Sequence, residues 1–452
     1  MAELNQRTDA ILRRLVRRDA RQSLRKVMAK SRPEDVAAAM EHLTYNEQKR
    51  LFRMVEESEY AAEILANMGD DGAQHVVTGM DEDQLVTLLE YMDPDDATDL
   101  VAVLPVDVRV RVLAALGESD DATEVRSLLA WPSDSAGGIM SPQVFKVHHL
   151  ASCGDAIRAL QQSHEELETV FYLYVMDDYD KLVGVTSLRS VLTHPANTPI
   201  KHVMGADVIS VSPLQDQEEV ARVVARYDLM AVPVVDEDRR LLGIVTVDDV
   251  VDVIREEAAE DMMRMAGVDE DADLANRSVL HQARHRAFWL MATIIGGVAM
   301  AEIVGQFEES LQKVAILAGF IPVIMGMGGN VGIQSATIAV RGLATGHVQI
   351  GGALSFIWRE ARVGILLGIL FGLMVGGYGL LRFYDQPMLG PSVALSIMLA
   401  IMLAGMLGAS IPILLDRLGV DPAIATGPFV TTGVDIIGVI IYFNVAKLLM
   451  GI

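Results

Sequence analysis

The 452-residue chain has one cysteine, Cys153, so an intramolecular disulfide is excluded and a reducing compartment is expected. The N-terminus, "MAELNQRTDAILRRLVRRDARQSLRK", has no apolar signal core, so residues 1–286 are expected to stay in the cytoplasm. No nucleophile–base motif, HExxH or Walker pattern occurs, and no enzymatic activity is expected. Basic charge is scarce: 37 Lys and Arg stand against 61 Asp and Glu, for a net charge of −24. Nucleic acid phosphates require a basic face, so nucleic acid is not expected as a partner.

What is present is divided unevenly. From residue 287 onward there are 8 acids and 7 bases, which leaves 53 acids and 30 bases to residues 1–286. One half is nearly neutral and apolar; the other is soluble and strongly acidic. Acidity of that size favours cations as partners, although an acidic surface also simply keeps a protein in solution.

Five apolar stretches, roughly 288–305, 314–340, 363–383, 392–415 and 424–450, are long enough or nearly so to cross about 30 Å of hydrocarbon. The intervening "HVQIGGALSFIWREARV" reads as an interfacial helix rather than a span. Arg284, Arg286, Arg341, Arg359, Arg362 and Arg417 fall on the same side as the acidic half, which predicts a cytoplasmic N-terminus and an external C-terminus.

The second span, "FIPVIMGMGGNVGIQSATIAVRG", is poor helix-forming sequence because of Pro322, Gly326, Gly328, Gly329 and Gly332. Loosened backbone is tolerated in a membrane only where it is buried in protein or lines a wet cavity. Asn330 and Gln334 lie one turn apart on one face. Close packing through small residues, with the amides as interhelical glue, is the plainer account. The fifth span weighs against it, because Gly427, Thr431 and Asp435 recur there every four residues. A carboxylate at that depth is a functional feature by default. With no Lys or Arg at comparable depth, Asp435 is left with a proton or a metal ion.

The acidic half contains two modules. Over residues 30–132, "PEDVAAAMEHL" and "PDDATDLVAVL" repeat at an offset of 61, and proline beside acids is a good helix start. Stacked helical repeats give a curved solenoid. Asp93, Asp95, Asp96 and Asp99 form a cation-attracting group on the second repeat, or else ordinary caps for the helix dipole. Residues 136–255 change period. "TVFYLYVMDDYDKLVGVTSLRSVL" and "YDLMAVPVVDEDRRLLGIVTVDDVV" each give strand, acidic turn, strand and helix, led by "GIMSPQVFKV" and "HVMGADVISV". This pattern resembles a tandem cystathionine-β-synthase (CBS) pair, with copies at 136–199 and 200–254.

Taken together, "SAGGIMSP", "GGNVGIQSAT" and "LGVDPAIATGPFVTTGVD" make the whole chain similar to the MgtE family of magnesium channels. The resemblance implies a multidomain membrane protein. A basic helix (1–29) would precede an all-α superhelical N-domain (30–132) and the α/β CBS pair. A connecting plug helix (255–285) would lead to an all-α transmembrane domain of five helices (286–452). It further implies a homodimer in the plasma membrane, the bacterial inner membrane, with lipid around it and a pore on the two-fold axis. Asp435, Thr431, Gly427 and Asn330 would line that pore for hydrated Mg²⁺. Gly427 departs from members that carry Asn there. Cytosolic Mg²⁺ would close the pore through Glu63, Asp95 and Asp99 of the N-domain, and Asp216, Glu218, Asp228, Asp249 and Asp252 of the CBS pair. Glu257, Glu260 and Asp261 of the connecting helix and Asp421 would complete the sensor. Each of these acids has a solvated surface role as its alternative. Thr246 to Asp249 forms the Ser/Thr-x-x-Asp turn through which CBS pairs hold a ribose. The matching Ser187 to Ser190 lacks the acid, which counts against ATP as a second cofactor beside Mg²⁺.

A transporter of Co²⁺ or Mn²⁺ on the same scaffold is the first alternative. The absence of transmembrane His or Cys favours oxygen ligation and Mg²⁺. A membrane sensor that transports nothing is the second, and it leaves Asp435 unexplained.

Overall fold

The computed structural model describes all residues except 1–11, 13, 17, 19, 29, 56, 118, 163–169, 269–278, 346 and 349–351. It divides into two units, Met1–Glu256 and Glu257–Ile452. Most of the basic helix expected over 1–29 and part of the connecting segment lie outside the described residues.

The first unit begins with short helices: α1 (Arg21–Met28), α2 (Pro33–Glu41), α3 (Tyr45–Phe52), α4 (Ser58–Ala66), α5 (Asp70–Val77), α6 (Glu82–Leu89), α7 (Pro94–Ala102), α8 (Val106–Ala115) and α9 (Asp120–Leu128). Their starts are written locally. Pro33 and Pro94 open α2 and α7 with acids in the first turn, and the Thr44 amide donates to Glu47 Oε2 at 3.2 Å ahead of α3. Helices this short are marginal alone. They persist because each packs on the next but one and buries Leu51, Ile64, Val76, Leu85 and Leu100 in a common core. This is the expected superhelical stack.

The CBS pair follows. Strand β1 (Lys146–His148) runs parallel to β2 (Tyr172–Met176), which pairs antiparallel with β3 (Leu182–Ser187). Helix α10 (Cys153–Gln162) connects β1 to β2, and α11 (Leu188–Thr193) follows β3. After α12 (Gln217–Tyr227), β4 (Ala231–Val235) and β5 (Leu241–Thr246) repeat the antiparallel pair. The leading segments, expected to complete one copy each, are shared between the two. Ser141 bridges Ile244 of the second copy, and Gly205 bridges Val185 of the first. Gly184 and Gly243 permit the exchange, because a Cβ on either would fall within 3.0 Å of Met204 or Met140. The helix after β5, α13 (Val247–Met265), runs on past Glu256.

The second unit holds α14 (Val279–Gly305), α15 (Glu308–Lys313), α16 (Leu317–Ala344), α17 (Ala353–Arg382), α18 (Leu389–Arg417) and α19 (Pro428–Met450). All but α15 are long and apolar enough to cross a membrane. Two expectations are corrected here. The glycine-rich second span is one continuous helix, because in lipid each backbone amide needs an internal partner and glycine's aqueous penalty is overridden. Gly328, Gly329 and Gly332 serve close packing instead, while Gly326 faces open space: a Cβ on Gly408 of α18 would stand 2.2 Å from Gly332 O. Residues 353–362 are also the first turns of the third span rather than a separate interfacial helix. Pro428 likewise opens α19 at its first turn, where no amide is missed.

Candidate cation sites

Within the first unit, carboxylates from α7 and α13 converge. Asp95 and Asp96 occupy the first turn of α7 and Asp99 follows one turn later. From α13, Asp249 turns back to accept the Thr246 amide at 3.3 Å and the Thr246 hydroxyl. Burial, followed by mutual repulsion, raises all four groups. Asp95 goes to about 6, with Asp93 and Asp248 adding to the burial. Asp96 goes to about 8, with Asp95, Asp93 and Asp249 adding. Asp99 goes to about 7 beside Asp70, Asp95, Asp249 and Glu256, and Asp249 itself to about 7. Asp99 keeps an exposed surface, so a hydrated ion has a way in. Asp95 Oδ1 is buried without a hydrogen-bond partner. An orphaned carboxylate oxygen within an all-oxygen donor set fits a hard divalent cation. Asp248 and Glu256 escaped the sequence reading, although Asp248 is adjacent to a named ligand.

The other expected sensor residues of the first unit make local contacts of their own. Glu63 sits on α4, where burial, then its charge and those of Asp35 and Glu34, push the Tyr60 phenol up to about 12. Asp216 accepts the Glu218 amide at 2.9 Å as the N-cap of α12, and Glu218 pairs with Arg222 at 2.7 Å. Asp228 ends that helix in a left-handed conformation, with φ of 51°. Asp252 pairs with Arg255 at 3.1 Å. In the second copy Asp249 closes the Thr246 turn and also belongs to the acid cluster; in the first copy the Ser190 amide donates to Ser187 Oγ at 3.1 Å, an ordinary helix N-cap.

Within the second unit, α16 and α19 pack through Gly329. A Cβ built there would stand 3.4 Å from Thr431 Cγ2 and 3.6 Å from Asp435 Oδ1. Asp435 Oδ1 is buried and has no hydrogen-bond partner, a costly state in the middle of an apolar helix. Asn330 and Gln334 are both exposed in the protomer. Thr431 Oγ1 donates to Gly427 O at 3.4 Å, which links two of the expected pore residues. Glu360, to which the sequence reading gave no role, is buried and accepts Ser335 Oγ at 2.9 Å. That bond ties α17 to α16.

The end of α13 reaches the start of α19. Gly427 lies beside Gly267 and Met265: its Cβ position is 3.5 Å from Gly267 N and 3.7 Å from Met265 O. Arg264 pairs with both Glu260 and Asp421, two of the expected sensor carboxylates. The structure therefore brings those two together through a guanidinium. Asp421 Oδ1 also accepts the Ala423 amide at 2.7 Å. Glu257 and Asp261 lie on the same helix.

Comparison with known proteins covers nearly the whole chain. The profile described as the MgtE divalent cation transporter matches residues 321–445, and that of the MgtE intracellular N domain matches residues 31–134. The CBS domain profile matches residues 136–197 and 200–256. The magnesium transporter MgtE of Thermus thermophilus is 34% identical over 434 residues, 95% of each chain. That of Bacillus subtilis is 33% identical over 390 residues, 86% of this chain and 83% of the relative. Among solved structures, the cytosolic domain of the Mg²⁺ channel MgtE in complex with ATP superposes with a TM-score of 0.50 and 30% identity. It covers 54% of this chain and 99% of that one.

Proposed function

The chain belongs to the MgtE family and is a magnesium transporter that crosses the membrane several times, and from this we propose that it imports Mg²⁺ through a gated pore. The pore lies on the two-fold axis of a homodimer in the plasma membrane, with the acidic unit in the cytoplasm and the C-terminus outside. Asp435 from each protomer faces the ion. Mg²⁺ dehydrates reluctantly and prefers octahedral oxygen ligation, so a pore that binds its water shell is cheaper than a tight cage. The buried Asp435 Oδ1, which has no hydrogen-bond partner, supports this role; Thr431, Gly427 and Asn330 are the further pore residues.

Gating rests on one observation: burial, and then mutual repulsion, raises the α7–α13 carboxylates to near neutral pH, so gathering them in charged form is costly. Two carboxylates about 6 Å apart repel by roughly 3 kcal/mol at an effective dielectric of 20. Inverting a two-state equilibrium from 1:99 to 99:1 takes about 5.5 kcal/mol. Cytosolic Mg²⁺ that relieves a few such pairs therefore suffices to draw the unit closed. The end of α13, which stands at Gly427, acts as the plug. Glu63 and the outer acids Asp216, Glu218, Asp228 and Asp252 serve as further Mg²⁺ contacts as the domains close. Glu257, Glu260, Asp261 and Asp421 do so around the plug. ATP is a further ligand, with its ribose at Thr246 and Asp249. Because Asp249 belongs to both sites, ATP and Mg²⁺ binding are coupled there.

Mg²⁺ flux into liposomes, with domain-side Mg²⁺ varied, tests the reading. Wild type is expected to conduct at low domain-side Mg²⁺ and to close as it rises. Asp435→Ala is expected to abolish flux at every concentration. Wild-type flux in Asp435→Ala would overturn the pore, and flux indifferent to domain-side Mg²⁺ would overturn the sensor.

A further inference from the structure

Neighbouring side chains on an extended strand leave on opposite faces. Strand β1 ends at His148, and the chain turns at His149, so these two rings meet instead. Their centroids are 4.5 Å apart with planes tilted by 40°. Asp178, from the turn between β2 and β3, completes the group: His148 Nε2 lies 3.0 Å from Asp178 Oδ1. One nitrogen from each ring and one carboxylate oxygen all lie within 4.8 Å of one another.

The surroundings orient the rings. His148 pairs in register with Met176, whose carbonyl accepts the His149 amide at 2.9 Å. The same carbonyl lies 3.3 Å from His149 Nδ1. A proton on Nδ1 therefore points at a carbonyl, and Nε2 is left with its lone pair outward. Metal-binding histidines are held in this way, by a hydrogen bond from the nitrogen that does not ligate. An ion pair between His148 and Asp178 would need only one ring; the approach of a second imidazole nitrogen to within 4.8 Å goes beyond it. The neighbouring Asp177 holds its own turn, where its Oδ1 accepts the Tyr179 and Lys181 amides at 2.8 and 2.9 Å.

We propose that His148, His149 and Asp178 bind one borderline divalent cation of the Zn²⁺ class, at a site separate from the oxygen-only sites for Mg²⁺. Two imidazoles and a carboxylate, with a fourth position open to water, suit that class, whereas Mg²⁺ selects oxygen donors. Ligand atoms around a tetrahedral ion with bonds near 2.1 Å stand roughly 3.4 Å apart. The His148–Asp178 pair is already near that spacing, and a small rotation of His149 brings in the third atom. When the ion replaces the proton on His148 Nε2, that proton moves to Nδ1. The 3.4 Å approach of the Leu150 amide to Nδ1 then gives way. The ion pins the end of β1 to the β2–β3 turn and so stiffens the first CBS copy.

Calorimetric titration of the full chain in detergent with ZnCl₂, under a large excess of MgCl₂, tests this. One Zn²⁺ per chain is expected, unaffected by the Mg²⁺, with affinity reduced at least tenfold in His149→Gln and abolished in His148→Gln/His149→Gln. Both histidines reach the surface, so the metal-free melting temperatures of these variants should match wild type. Co²⁺ substitution should give visible absorption bands of a tetrahedral site in wild type and not in the double variant. Zinc binding unchanged in the double variant, or competed away by Mg²⁺, would overturn the assignment.

Discussion

Arg264, near the end of α13, is ion-paired with Asp421, which caps the turn before the last span. The same guanidinium holds Glu260 one helical turn back. The guanidinium thus already neutralises two carboxylates to which the sensor reading gives Mg²⁺, and it ties the end of α13 to the turn before the last span. Arg264→Gln removes that charge and leaves two carboxylates facing each other. The variant is expected to conduct several-fold more at low domain-side Mg²⁺ and still to close when Mg²⁺ is raised. Liposome flux against domain-side Mg²⁺ measures both, and a curve that superposes on wild type would show the pair to be a bystander.

Asp96 is raised furthest in the α7–α13 cluster, to about 8, by burial and then by Asp95, Asp93, Asp249 and Asp99. Asp96→Asn removes one charge at nearly constant shape. In chelator the variant should melt a few degrees above wild type, because buried repulsion is relieved. In Mg²⁺ the order should reverse or close up, since the ion then has one ligand fewer. Melting of the detergent-solubilised chain, with and without Mg²⁺, reads the difference. Equal gains from Mg²⁺ in both proteins would place the ion elsewhere.

The same cluster sets a pH dependence. Asp95, Asp96, Asp99 and Asp249 rise from an ordinary value of 3.8 to about 6, 8, 7 and 7 in the folded state. Between 3.8 and 8 the folded chain binds more protons than the unfolded one, so stability falls as pH rises through that window. Without divalent cations the melting temperature should drop from pH 6 to pH 8. Saturating Mg²⁺ competes with the protons and should flatten the slope. A melting temperature that rises over this range in chelator would contradict the cluster.

The expected fold class holds, and the reasons are visible in particular residues. Unbroken apolar runs mark the five spans, and the repeated Leu-Val-Gly and Leu-Leu-Gly anchors mark the two CBS copies, because burial acts on local pattern. The exchange of leading strands was not legible, since Met140 meeting Gly243 is a contact between residues a hundred positions apart. The continuity of α16 was misread because glycine's helix penalty was taken from water. Glu360 was hidden by its position between Arg359 and Arg362, which suggested a membrane surface; its partner Ser335 lies on another helix. At the cation sites, the acids of α7 could be picked out by composition. Their convergence with Asp249 and Glu256 depends on how α13 packs, which no local spacing encodes.

Helix α17 presents Gly364, Gly368, Gly372 and Gly376 to α18, a glycine every four residues along one face. Such a stripe lets two helices in lipid touch backbone to backbone. A Cβ on Gly368 would stand 2.7 Å from Met398 Cα, an atom that cannot rotate away. Gly377, on the same helix, would meet nothing within 4 Å. Gly368→Val should therefore force the helices apart, at a cost of about 1–3 kcal/mol or more, and lower the melting temperature by several degrees. Gly377→Ala should be neutral or slightly stabilising, because alanine is the better helix former. Both variants leave every proposed cation ligand intact. Flux per folded protein should thus stay at the wild-type level in Gly377→Ala, while Gly368→Val loses activity in step with its folded fraction. Equal melting temperatures for the two would mean that the α17–α18 contact does not hold the membrane unit together.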